Sequence, residues 1–318
     1  MIKKLLVSSI LVGAAFANGG LPPEAEVSAV KVLEVPGYTE GVVVDAEGAL
    51  YISDTYHGTV YRVGPGGEAK AWAETGAPNG HKILADGTHL VCDGSQRAVL
   101  RLDATGKVIG KASSECNGKP LRSPNDLTLD SRGGFYFTDP GGSNLQNPFG
   151  TVHYVDARGK TELVAAGLAF PNGIALRPDG KTLLVGESNR NRILAYDLVA
   201  PGKARGVRVF AQLPTKEGEQ IANEPDGICL DREGNLYVAH YGMRQVQVLS
   251  AEGKLLRRYA AGNLTTSNVA FAGPRMDSLY VTGALGDEKT TKGGLFRLDL
   301  KGVRGLRILK EPSIVNRK

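Results

Sequence analysis

The sequence is short of the features that mark several common protein classes. It has three cysteines, one tryptophan and no Cys-x-x-Cys pair in 318 residues, so neither a disulfide framework nor a zinc–thiolate site has support. Cys92 in HLVCD and Cys229 in GICLD sit in strand-like runs and are expected as buried free thiols. Beyond the N-terminal stretch, no segment approaches the roughly twenty apolar residues of a membrane-spanning helix. The formal charge is only +5 and the basic residues are not clustered, which leaves nucleic-acid binding without an electrostatic footprint. G-x-S-x-G, H-E-x-x-H and G-x-G-x-x-G are all missing. A serine-hydrolase elbow, a helical zinc-protease motif and a dinucleotide loop are therefore unsupported.

What the chain has in excess is glycine, 42 residues, about double the usual share. There is no G-X-Y period, and so much glycine would weaken helix interiors, so short punctuated strands suit the composition better. The 42% of hydrophobic residues suffices for a sizeable core. The opening MIKKLLVSSILVGAAFANGG couples two lysines to a short apolar run and a small-x-small Ala15-Phe16-Ala17 site. This has the form of an export signal. The expectation is a signal peptide over 1–17, an extension over 18–29 and one domain over 30–318, located in the periplasm or secreted after cleavage.

Self-comparison reveals six copies of one unit. They read EGVVVDAEGALYISD from Glu40, NGHKILADGTHLVCD from Asn79, NDLTLDSRGGFYFTD from Asn125, NGIALRPDGKTLLVGES from Asn172, DGICLDREGNLYVAH from Asp226 and NVAFAGPRMDSLYVTG from Asn268. Each is a strand, an Asp/Gly turn and a second strand, with alternating apolar positions. A third strand follows in each, and a fourth is expected at AKAWAE, KVIG, TELVAAG, RVFAQL, LLRRYAAG and LRILKE. Second strands begin 40 to 53 residues apart. Four antiparallel strands repeated six times predict an all-β, six-bladed β-propeller, and the period disfavours a β-sandwich or parallel β-helix. VKVLEV, before the first unit, resembles a fourth strand and is expected to latch the ring onto the last blade.

The polar residue opening each copy holds a constant phase. Glu40, Asn125 and Asp226 lie ten positions before the second strand, and Asn79, Asn172 and Asn268 eleven before it. Equivalent propeller loops share one face, so six oxygen-bearing side chains are expected to converge near the axis. Such a set suits a hard divalent cation, Ca²⁺ or Mg²⁺, with Mn²⁺ or Zn²⁺ as alternatives.

These motifs resemble the SMP-30/gluconolactonase family, and exported bacterial gluconolactonase-like members in particular. The resemblance spans about residues 30–310 and is most specific in LRSPNDLTLDSRGGFYFTDP, with support from FPNGIALRPDGKTLLVGES and EPDGICLDREGNLYVAHYG. It implies a metal held by Glu40, Asn172 and Asp226, with Asn125 adding to the metal or substrate shell. The chain departs from the family pattern at CDGSQR in the second unit and in the Gly141–Phe149 loop.

The implied activity is metal-dependent lactone hydrolysis, the cation polarising the carbonyl and activating water, with a hydroxy acid released. Asp226 is the first candidate for steering or deprotonating that water. Arg122, His81, His240 and Tyr241 are candidates for contacting substrate, with Tyr38 as a further pocket wall. The expected partner is a small-molecule substrate; no nucleic acid, stable membrane span or obligate protein partner is implied. Phosphotriester or aryl-ester hydrolysis, or a non-enzymatic sugar- or peptide-binding propeller, are the alternatives.

Overall fold

The computed structural model describes residues 20–215, 222–286 and 292–307; the 1–17 segment expected as a signal lies outside them. Six four-stranded antiparallel sheets form a six-bladed propeller. The innermost strands are Thr39–Val44, Pro78–Ile83, Leu127–Leu129, Pro171–Leu176, Glu224–Leu230 and Thr265–Ala272, in blades one to six. The expected outer strands form in blades one to five.

The latch forms as expected. Val30–Val35 pairs antiparallel with Gly293–Asp299 and supplies the outermost strand of blade six. LRILKE does not take that position. Leu306 and Arg307 lie outside any strand, and the rest of that segment is beyond the described residues. Closure by the N-terminal strand pairs the otherwise free edge of Gly293–Asp299, and ties the first described strand to the last non-covalently. Upstream, Leu21 and Val27 are buried in the core shared by blades five and six, and the Pro22 carbonyl accepts from the Tyr259 hydroxyl at 2.8 Å.

Period-two alternation builds the core. In the second strand of blade one, Leu50 and Ile52 pack toward blade six, whereas Tyr51 packs toward blade two. Each blade thus contributes to two hydrophobic clusters, one with each neighbour. No single four-stranded sheet could bury both faces alone, so ring stacking is the source of stability. All three cysteines are free: Cys92 and Cys116 are buried, and Cys229 is only half-buried.

Candidate active site

Five of the six inner strands share one irregularity. Their pairing with the second strand slips at Glu40/Val42, Pro78/His81, Pro171/Ile174, Pro225/Ile228 and Thr266/Val269. These bulges re-aim the residue that opens each repeat. In four of them the next residue is Gly41, Gly80, Gly173 or Gly227, and its lack of a side chain is required by close approach of the next blade. A Cβ on Gly41 would lie 2.1 Å from the Asn79 carbonyl oxygen, and one on Gly173 would lie 2.1 Å from that of Asp226. Hydroxyls tie successive bulges together: Ser53 donates to the Asn79 carbonyl, Thr138 to that of Asn172 and Ser188 to that of Pro225, at 2.7 to 2.8 Å.

The acid ending the second strand holds the loop in front of the bulge. Asp54 accepts from the Gly37 N–H at 3.0 Å, Asp93 from Ala77 at 3.0 Å and Glu187 from Ala169 at 2.9 Å. Asp139 accepts from both Arg122 and Ser123, at 2.9 and 2.6 Å. These carboxylates are buried and serve geometry rather than chemistry.

Glu40, Asn172 and Asp226 come together as the repeats imply. All three are buried. Burial pushes the Glu40 carboxyl well above its ordinary range, the charge of Asp126 adds to this, and a hydrogen bond from Asn268 opposes it. Burial likewise raises Asp226, aided by the charges of Glu40, Glu224 and Asp126 and opposed by a hydrogen bond from Asn172. Glu40 and Asp226 are thus mutual electrostatic neighbours. Glu40 Oε2, Asn79 Oδ1 and Asn172 Oδ1 are buried acceptors with no hydrogen-bond partner. Orphaned acceptor oxygens beside two confined carboxylates fit a hard cation, whose charge would meet the cost of ionising them. Among the described residues no group of three or more His, Cys, Asp or Glu side chains is arranged to hold a metal, so a site here depends on amide oxygens as well as carboxylates.

Asn125 is half-buried, and its backbone is fixed by Gly80 and Thr138 at 2.8 and 2.9 Å. Asn268 reaches Glu40, but from a different register. Its blade has the longer hairpin, with Val269 opposite Val281 where blade five has Ile228 opposite Val238. Ser267 therefore occupies the slot of Asp226, and donates to the Thr39 carbonyl at 2.7 Å. Asn268 occupies the slot of Gly227, as Asp126 does in blade three. Both accept from the next backbone N–H, Asn268 from Val269 at 2.9 Å and Asp126 from Leu127 at 2.8 Å.

The two histidines do not join the acidic group. His81 is one residue past the bulge glycine, so its ring turns into the space between blades one and two. There Nε2 meets His89 Nδ1 at 2.8 Å, and the ring stacks 6.0 Å from Trp72. His240 is buried and its Nε2 meets Asn191 Oδ1 at 2.8 Å, joining blades five and four; burial holds it down at about 4. Arg122 stays exposed, its guanidinium 4.5 Å from the Phe149 ring centre and bonded to the Phe149 carbonyl at 3.1 Å. Tyr38 stands over the acids. Burial raises its hydroxyl, with the charges of Glu40, Asp226 and Tyr241 adding to the effect, and its ring stacks on Tyr56 at 5.6 Å. Tyr56 is 60% exposed.

Sequence reasoning missed three members of this neighbourhood: Asp126, Glu224 and Lys82. Lys82 Nζ lies 3.9 Å from Asp126 Oδ1. Glu224 accepts from Asn189 Nδ2 at 2.8 Å. The signal was present in the doublet Asn125-Asp126 and in Glu224, two positions before Asp226 on one strand, but the phase count weighed one residue per repeat.

A ring of six sheets with acids and amides drawn from separate blades to its axis defines a propeller with an enzyme-like axial centre. Residues 38–285 match the SMP-30/gluconolactonase/LRE-like region, and the chain belongs to that family. It is 32% identical over 235 residues, 70% of each chain, to lactonase drp35 of Staphylococcus epidermidis. It is 31% identical over 189 residues, 56% of this chain and 52% of the other, to a gluconolactonase of Zymomonas mobilis. Among solved structures, a gluconolactonase from Xanthomonas campestris superposes with TM-score 0.75 at 25% identity, covering 90% of this chain and 93% of that one. A calcium-binding regucalcin from Agrobacterium tumefaciens shares the fold, with TM-score 0.73 at 22% identity, covering 88% and 95%. Among the described residues no helix is long and apolar enough to cross a membrane.

Proposed function

We propose that the chain is a lactone-opening hydrolase whose centre is the Glu40–Asn172–Asp226 group and depends on a divalent cation, calcium first among them. The observation that carries this reading is the meeting of Glu40 and Asp226 from opposite parts of the chain, beside the orphaned oxygens of Glu40 and Asn172. Family membership supports a lactonase-like hydrolase. The site adds where it would act.

Glu40, Asn172 and Asp226 would hold the cation, with Asn125 at its margin. When bound, a divalent cation supplies positive charge that polarises a carbonyl oxygen and favours the negative charge developing on it. The chain's own residues do the rest. Asn172 donates to the Asp226 carboxylate and fixes its orientation. Tyr38, held protonated by burial and by the acids beside it, presents a hydroxyl donor to substrate oxygens. Glu224 lies at the edge of the acids, oriented by Asn189. It is better suited than Asp226 to accept the proton of the attacking water, because a carboxylate engaged with a cation is a weak base. Water adds to the carbonyl carbon, the ring C–O bond breaks, and the departing alkoxide takes a proton to give the hydroxy acid. The stacked Tyr38–Tyr56 pair stands at the acids, which suits a ring bearing one apolar face.

The test is a hydrolysis screen on metal-reconstituted protein against sugar lactones, aliphatic lactones, aryl esters and phosphotriesters. Lactone turnover should vanish on chelation, return with calcium, and fall at least a hundredfold in Asp226→Asn. Glu224→Gln should lower kcat more than it raises KM. Undiminished turnover in Asp226→Asn would refute the assignment of the site, and turnover confined to phosphotriesters would refute the substrate class.

A further inference from the structure

Beneath the acids, the inner strands contribute one residue per blade to the axial channel at a common register: Val43, Lys82, Thr128, Ala175, Cys229 and Ala270. All six line a single cavity of about 760 Å³. At this register five are small or apolar and uncharged and Lys82 alone is charged; the charged residues elsewhere in the cavity lining are Asp45, Glu47, Arg62, Asp86 and Arg307. The Lys82 amine donates to the His81 carbonyl at 3.1 Å and lies 3.9 Å from Asp126 Oδ1. Asp126 is buried, and its charge is felt by both Glu40 and Asp226. The charge of Lys82 is also felt across the channel at Cys229.

An ammonium is costly to place in such a channel unless a specific partner compensates it. A methionine or leucine would fill the same space without that cost, so packing alone does not account for the residue. The charge balance does. Glu40, Asp126, Asp226 and Glu224, when ionised, carry four negative charges, and Lys82 offsets the one at Asp126.

We propose that Lys82 is a built-in counter-ion of the cation site: it neutralises Asp126 from below and sets the charge that the bound ion meets. The inference rests on the cation-site reading above. Lys82 touches neither substrate nor cation in this scheme. It acts through Asp126 and is a positioning and charge-setting residue.

Removing the charge has a signature that a packing defect lacks. Coulomb energy is proportional to the charge of the ion, so the logarithm of the affinity change for a trivalent ion should be three halves of that for a divalent ion. If Lys82→Met tightens Ca²⁺ about tenfold, it should tighten Tb³⁺ about thirtyfold. Asp126→Asn should weaken both ions in the same proportion. The double variant Lys82→Met/Asp126→Asn restores the wild-type net charge and should return both affinities to within about threefold of wild type. Lys82→Arg should leave them unchanged. Asp126→Asn and the double variant keep the test decisive if Lys82→Met folds poorly.

Calorimetric titration of the metal-free full chain with CaCl₂ and TbCl₃ at pH 7.5 reads all of these without turnover. Equal factors for the two ions in Lys82→Met, or no change in either, would overturn the proposal while leaving the cation site standing. Absence of ion binding in the wild type, with Glu40→Gln indistinguishable from it, would overturn the cation-site reading itself.

Discussion

The metal-free protein should lose stability as pH rises, and calcium should remove that loss. Burial and the charge of Asp126 hold the Glu40 carboxyl up at about 8, against about 4.3 in an unfolded chain. Below the unfolded value both states carry the proton and nothing is lost. As pH rises, the unfolded chain releases its proton first, so the native state binds more protons and stability falls until the native carboxyl also ionises near pH 8. At about 1.4 kcal/mol for each tenfold, the full cost is on the order of 5 kcal/mol, of which about 3 kcal/mol falls between pH 5.5 and 8. For a propeller of this length that corresponds to about 5 °C in Tm. Asp226 shifts in the same direction. Calcium at the proposed site would favour the ionised form and stabilise in proportion to its affinity, so the calcium-induced rise in Tm should grow from pH 5.5 to 8. His81, His89, His153 and His240 are all held below their ordinary range by burial, so they add stability as pH rises toward about 6.5 and oppose the trend. Differential scanning fluorimetry of wild type against Glu40→Gln, each with chelator and with calcium, cancels that contribution. Parallel pH profiles for the two proteins in chelator, or an equal calcium shift at both pH values, would refute the reasoning.

Three further outcomes follow from the geometry. Asp139→Ala deprives the Arg122 and Ser123 N–H groups of their acceptor and should cost about 2–4 kcal/mol in urea unfolding, with weaker calcium binding because the Asn125 loop is freed; an unchanged midpoint would show that the tie is replaceable. Gly173→Ala would set a Cβ 2.1 Å from the Asp226 carbonyl oxygen, so it should lower calcium affinity at least tenfold while circular dichroism keeps its β signature. Deleting residues 1–35 removes the outer strand of blade six, and the remainder should unfold at a Tm at least 10 °C lower or not fold as a monomer, read by calorimetry and light scattering.

The fold was legible because a propeller writes its plan six times. One strand–turn–strand unit is ambiguous, but six copies in phase specify both the blade and the ring, and Val30–Val35 could be recognised as a fourth strand by its likeness to the others. The ending of blade six was harder to place. LRILKE and VKVLEV are both apolar, alternating and adjacent to an unfinished sheet, and nothing in either sequence states which one pairs with Gly293–Asp299. The acids ending the second strands were visible in the repeats, yet their role was not. An acid can face a cation or a row of backbone N–H groups with the same spelling, and only the loop position of Gly37, Ala77 or Ser123 decides between them.

The site was legible to the accuracy of one residue, and in a strand one residue decides which way a side chain points. Counting from the second strand gave Glu40, Asn172 and Asp226 equivalent slots because their hairpins differ by at most one residue. In blade six the hairpin is longer, so the count landed on Asn268, which enters from the glycine slot and still reaches Glu40. His81 failed for a related reason: the bulge consumes Asn79 and Gly80, and the next residue is turned between the blades toward Trp72. Asp126 and Lys82 escaped because a one-letter motif records neither slot nor depth. Asp126 shares the slot of Gly227 and Asn268, and Lys82 the register of Val43 and Ala175. Their meeting depends on adjacent strands from different blades lying at the same height. That height follows from where the bulges fall, so the charge balance of the centre is set by backbone irregularities as much as by the side chains themselves.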